Sequence, residues 1–73
     1  MRESGIEQLR TLSAGTLATL TGLRRYDDIE RFRAHIVDWA ERKTRAGFFT
    51  GKEQWQVYWN TYVAAHKIAH NGA

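Results

Sequence analysis

One phrase recurs along the chain at a spacing of 23 residues: Ser4-Gly-Ile-Glu7, Asp27-Asp-Ile-Glu30 and Thr50-Gly-Lys-Glu53. Each copy sets an oxygen-bearing side chain three residues ahead of a glutamate. That is the capping box, in which side chain and backbone at a helix start satisfy each other's unpaired N–H groups. Each copy is followed two positions on by a large apolar residue (Leu9, Phe32, Trp55), then by apolar residues at helical spacing. The chain thus predicts three helix starts, at Ser4, Asp27 and Thr50, and three helices. Any bundle of equal helices shares a cap, a glutamate and apolar positions, so the period reads as equal helix length and not as duplication.

At 73 residues the chain has room for one domain, residues 1–73. A domain of this size buries roughly 60% of its unfolded surface, so a stability of only a few kcal/mol is expected. There is no cysteine, which removes disulfides and thiolate metal sites together. The opening MRESGIEQL is polar and no apolar run approaches membrane-spanning length, so no membrane association is expected. The expected location is a reducing cytosol, that of a bacterium or of a host. The net charge of +3 divides as +2 over residues 1–26, 0 over 27–46 and +1 over 47–73. No like-charge tail of the kind that forms a disordered nucleic-acid arm is present.

The second predicted helix is the best formed. Asp27 is its expected cap, Asp28 and Glu30 suit the positive end of the helix dipole, and Arg42, Lys43 and Arg45 suit the negative end. Ile29, Phe32, Ile36, Trp39 and Ala40 make its apolar stripe, and Gly47 is placed to close it. The third is expected after Thr50, with Trp55, Tyr58, Trp59, Tyr62, Val63, His66 and Ala69 on one face and Asn71-Gly72 at its end. The first is weaker, because Thr11, Ser13, Gly15, Thr16, Thr19 and Thr21 all lower helix propensity. A break is expected around Ser13–Thr16, with Gly22 as a left-handed terminator and Leu23 as its apolar follower. The fold expected is all-α: a compact three-helix bundle whose first helix breaks in two.

Motifs that carry chemistry are sparse. His66 and His70 stand four apart on one helical face, as in zinc sites, but a zinc site needs a third protein ligand and no carboxylate lies near. His66 is expected at the core edge beside Tyr62, and no metal site is expected. Ser4 and Ser13 are the only serines, with Ser4 used as a cap, and neither has a nucleophile-elbow context. A core this small is also expected to leave no pocket of the usual ~300 Å³. Neither catalysis nor a cofactor nor a small-molecule substrate is expected.

The stretch TLATLTGLRRYDDIERF has some of the spacing of a helix-turn-helix, with Ala18 and Gly22 four apart and Leu17 and Leu23 apolar. Ile29 and Phe32 then fall one residue late. Asp27 and Asp28 would stand at the N-terminal end of the recognition helix, where they repel phosphates. A helix-turn-helix-like DNA-binding regulator is therefore the runner-up reading. Trp59-Asn60 invites comparison with a homeodomain, but that family's arginine-studded recognition helix has no counterpart here.

The segment RKTRAGFFTGK, residues 42–52, stands out instead. Its cations Arg42, Lys43, Arg45 and Lys52 surround Phe48 and Phe49 with no acid among them. Consecutive residues on a tight turn cannot easily both face a core, so one phenylalanine is expected to plug the bundle and the other to face solvent. An exposed aromatic ringed by cations has the composition of a binding hot spot. The alternative is that both rings cap the core while the cations complement the helix dipole. A second cluster, Arg24, Arg25 and Tyr26, is expected about 28 Å away at the other end of the second helix. Lys67 and His70 are expected to return to that same end. Such a body, with a sticky turn at each pole, suits the bridging of two points on a large protein, with nucleic acid as a secondary contact.

In its size, its lack of cysteine and the basic–aromatic turns RKTRAGFFTGK and LRRY, the chain resembles the small bacteriophage-encoded proteins that bind host RNA polymerase. The resemblance implies a stoichiometric inhibitor or antiterminator. Such a protein would act by occlusion on polymerase subunits near the sigma or RNA-exit surfaces.

Overall fold

The computed structural model describes residues 3–66, and within them the backbone forms four helices: α1 (Gly5–Thr11), α2 (Ala14–Thr21), α3 (Tyr26–Arg45) and α4 (Trp55–His66). The described chain is all-α. The expected count of three is corrected to four because the first predicted helix does break, at Leu12–Ser13. Leu12 leaves the helix with ψ near 140°, and Ser13 stays extended while its hydroxyl accepts a hydrogen bond from the Thr16 N–H at 3.0 Å. Threonine hydroxyls then turn back onto their own helices, Thr11 to the Glu7 carbonyl and Thr19 to that of Gly15. These local bonds offer the backbone partners other than a continuous helix.

Of the three predicted caps, one forms where expected. Ser4 Oγ accepts from the Glu7 N–H at 3.1 Å and opens α1. The Asp27 cap is corrected. α3 begins two residues earlier, at Tyr26, with Arg25 in the capping position and no side-chain cap bond. Asp27 and Asp28 lie instead within the first turn, where their charge still complements the dipole. The Thr50 cap is corrected as well. Gly51 adopts φ +91°, outside the helical region, so no helix runs through it. The Thr50 N–H and hydroxyl and the Gly51 N–H all donate to the Glu53 carboxylate, closing a separate turn before α4. The first N–H of α4, on Trp55, is capped from across the fold by Gln8 Oε1 of α1 at 3.1 Å.

α1 packs against both α3 and α4, and α2 packs against α3. Leu9, Leu17, Ile36 and Tyr58 are fully enclosed, with Trp39, Ala40, Trp59, Tyr62 and Val63 around them. The α3 stripe reads as expected, and Val37 widens it. Gly5 lets α1 approach the chain entering α4 so closely that a Cβ there would lie 2.2 Å from the Glu53 carbonyl oxygen. Arg33 of α3 locks the opposite end of α1. Its guanidinium donates to the Leu9 and Arg10 carbonyls at 2.8 and 3.1 Å while pairing with Glu30 at 2.9 Å. Two of the carbonyls that α1 leaves unpaired are thereby satisfied from another element. Arg10 pairs with Glu41 and adds a further α1–α3 link.

Tyr62 sits at the centre of an aromatic cluster. Its ring meets Trp39 edge-on at 5.2 Å and Phe32 at 5.7 Å, and it stacks on His66 at 4.1 Å. Burial pushes the hydroxyls of Tyr58 and Tyr62 above their ordinary pKa. The 20 residues of α3 span about 30 Å. The turn at residues 42–52 and the cluster at residues 24–26 therefore stand at opposite ends of α3.

Candidate partner-binding site

The end of α3 explains how the turn holds its two phenylalanines. Gly47 takes φ +91°, a left-handed conformation that costs a residue with a Cβ about 1 kcal/mol or more. Its N–H donates to the Thr44 carbonyl at 3.0 Å, and the Phe48 N–H donates to that of Lys43 at 2.9 Å. These two bonds form a Schellman motif, which normally lets the residue after the glycine pack on an apolar side chain one turn back. Here the residue one turn back is Lys43. Its ammonium lies 4.9 Å from the centre of the Phe48 ring, a cation–π contact in place of an apolar one. Phe48 is consequently fixed at its backbone yet 71% exposed.

Phe49, the next residue, points inward. It meets Trp39 edge-on at 5.9 Å and Tyr58 at 4.4 Å, and closes the end of the core. One phenylalanine is a plug and its neighbour is displayed.

Between them lies an apolar groove of about 330 Å³ lined by Trp39, Lys43, Phe48, Phe49, Thr61 and Ala65. A second depression, of about 390 Å³, is lined by Leu23, Asp28, Arg31, Phe32 and His35. The expectation that so small a core leaves no space of this size is corrected. The space lies on the surface, where helices diverge, and not inside the core. Trp39, Thr61 and Ala65 were not legible as site residues in the sequence. A helical stripe identifies Trp39 as core, and nothing in the sequence brings Thr61 and Ala65 to the end of α3.

The cations of the turn do not form a single ring. Arg42 is engaged with Asp38 at 2.9 Å, and Lys43 stands over Phe48. Arg45 is exposed on the last turn of α3. Lys52 lies apart, lining a depression with Glu3, Ser4 and Gly51. Beside it, the N–H groups of the Thr50–Gly51 turn, Thr50 first, hold the Glu53 carboxyl at a pKa of about 2.

At the other pole Arg24, Arg25 and Tyr26 are all exposed, Tyr26 by 67%. Asp27 is exposed beside them and Asp28 pairs with Arg31 at 3.4 Å. His66 sits at the core edge as expected, its Nδ1 2.9 Å from the Tyr62 carbonyl oxygen. Its sequence partner His70, along with Lys67 and the expected helix end at Asn71-Gly72, lies outside the described residues. Among the described residues no three His, Asp or Glu side chains gather as a metal site, and no helix is long and apolar enough to cross a membrane.

Neither a family model, nor a curated protein, nor a solved structure matches this chain.

Proposed function

We propose that this chain is a small non-enzymatic regulatory protein that acts by binding a large protein partner. Phe48 and the last turn of α3 form its principal contact, and Arg24, Arg25 and Tyr26 form a second. The observation that carries the reading is the pairing of a 71% exposed Phe48 with a backbone locked by two hydrogen bonds. A solvent-facing aromatic on a fixed backbone loses little entropy on binding, which is the property of an interface anchor. Lys43 over its ring favours an acidic counterpart. Bacterial RNA polymerase is the partner that the resemblance to phage-encoded regulators implies, with transcription as the process regulated and the cytosol as its place.

The exposed Asp27 at the start of α3 weighs against DNA as the main partner, since a carboxylate there repels phosphate. Binding of the purified chain to immobilised RNA polymerase tests the proposal directly. Wild type should bind and alter transcription in vitro, and Phe48→Ala should weaken binding by about 2 kcal/mol. Affinity for random duplex at physiological salt should be no better than ~10⁻⁶ M. Sequence-specific footprints at nanomolar protein would overturn the reading in favour of a helix-turn-helix-like regulator.

A further inference from the structure

The groove beside Phe48 has a charge character that narrows what it accepts. Trp39, Phe48 and Phe49 supply its aromatic walls, Thr61 and Ala65 its α4 side, and Lys43 is the one charged residue lining it among the described residues. Among the described residues no carboxylate lines it, and Asp38 is engaged with Arg42, Glu41 with Arg10, and Glu53 with the N–H groups of its own turn. Lys43, which stands over the Phe48 ring, puts positive charge at the border of the apolar slot.

The adjoining helix is unusual in the same sense. From Trp55 to His66, α4 contains no Asp, Glu, Lys or Arg, although Gln56, Val57, Asn60, Thr61, Ala64 and Ala65 all face solvent. A solvent-facing helical surface ordinarily carries charge. This one offers an uncharged track that runs from the exposed Val57 through Thr61 to Ala65 and ends at the aromatic slot. The helix-in-groove mode of recognition uses such a surface: apolar side chains lie along it, a bulky anchor fills the pocket, and charge at the end sets orientation.

We infer that this groove docks an acidic amphipathic helical segment of a protein partner. One bulky apolar anchor enters between Phe48 and Ala65, and an Asp or Glu side chain beside that anchor faces Lys43. The inference rests on the proposed partner-binding role and names the chemistry of the bound segment. A basic segment would meet Lys43 at the mouth of the slot with no carboxylate lining it to offset the repulsion. A purely apolar segment would leave Lys43 without counter-charge.

Fluorescence anisotropy of the full chain with labelled synthetic peptides tests this. The probes are a short amphipathic peptide with a central Leu-Trp pair flanked by Asp and Glu, the same peptide with Lys at every acidic position, and the acidic peptide with Ala for Leu-Trp. A labelled oligothymidylate is the fourth probe. The acidic anchored peptide should bind at least about tenfold more tightly than each of the others, and raised salt should weaken it. Phe48→Ala should reduce that binding about 30-fold, and Lys43→Glu should reverse the preference for acidic over basic peptide. Equal binding of the acidic and basic peptides would overturn the inference. So would tighter binding of the oligonucleotide, or self-association of the free chain that Phe48→Ala abolishes. The two readings separate cleanly. Polymerase binding that depends on Phe48, without any preference for the acidic peptide, leaves the proposed function standing and refutes this inference. Acidic-peptide selectivity without polymerase binding does the reverse for the proposed partner.

Discussion

Phe48 and Phe49 are neighbours of identical chemistry in opposite environments, and truncating each to alanine should separate binding from stability. Phe49 fills the end of the core, in contact with the rings of Trp39 and Tyr58. Its removal leaves a cavity and deletes two aromatic pairs, each worth about 0.5–1.5 kcal/mol beyond area. Because the ring is half-buried, the loss should fall at the low end of the range for core phenylalanines, about 3 kcal/mol. Phe48, 71% exposed, hides under a third of its surface. Full burial of such a side chain contributes about 1.5–3 kcal/mol, so the buried fraction contributes about 0.5–0.9. With an exposed cation–π contact of about 0.5 kcal/mol added, the total is near 1 kcal/mol. For a domain of this size each kcal/mol moves the melting temperature by about 4–8 °C. Thermal unfolding followed by circular dichroism should therefore show Phe49→Ala melting about 12–24 °C below wild type, and Phe48→Ala lower by no more than about 8 °C. Partner binding, assayed well below the melting temperature, should nonetheless be impaired by Phe48→Ala despite its small effect on stability. Melting temperatures within about 3 °C of each other would refute the assignment of one ring to the core and one to the surface.

Gly5→Ala should destabilise the chain by about 3 kcal/mol in urea unfolding, because the new Cβ would meet the Glu53 carbonyl at 2.2 Å and backbone cannot yield as a flexible side chain can. Arg33→Ala should cost about 2–3 kcal/mol through the loss of its bonds to the Leu9 and Arg10 carbonyls, and Arg33→Lys should restore little of it, since an ammonium lacks the planar fork. Glu53 carries a pH signature. Its folded pKa of about 2 lies below the ordinary value of 4.5, so its stabilising effect is present in full above pH 4.5 and disappears as pH falls through about 2. The melting-temperature difference between wild type and Glu53→Gln should accordingly shrink across that window, and a difference that stayed constant from pH 6 to pH 2 would contradict it.

Local chemistry was legible in the sequence, and the reason is range. The Ser4 cap, the break near Ser13, the left-handed stops at Gly22 and Gly47 and the buried stripe of α3 all depend on residues within a turn or so of one another. The inference that one phenylalanine faces out belongs to the same class, because a two-residue constraint suffices for it. The sequence misled at two of the three expected caps, and at one of them a distant residue had taken over. Thr50 reads as a cap, yet its N–H and hydroxyl donate to the Glu53 carboxylate, the next residue Gly51 is left-handed, and the α4 cap arrives as Gln8 from the far end of the chain. Asp27 reads as a cap, yet α3 starts two residues sooner, with Arg25 in the capping position and Asp27 within the first turn.

The sequence by itself determined the all-α class, the approximate helix limits and the basic–aromatic composition of the turn at residues 42–52. Only the tertiary structure decided that Phe49 is the buried ring, since the space between Trp39 and Tyr58 exists only once α4 has packed against the rest. It likewise brought Thr61 and Ala65 beside Phe48, and aimed Arg33 at carbonyls 23 and 24 residues away. Periodicity specifies which face of each helix is apolar. Which atoms then meet across those faces depends on the relative placement of helices joined by turns, and no short-range pattern encodes that.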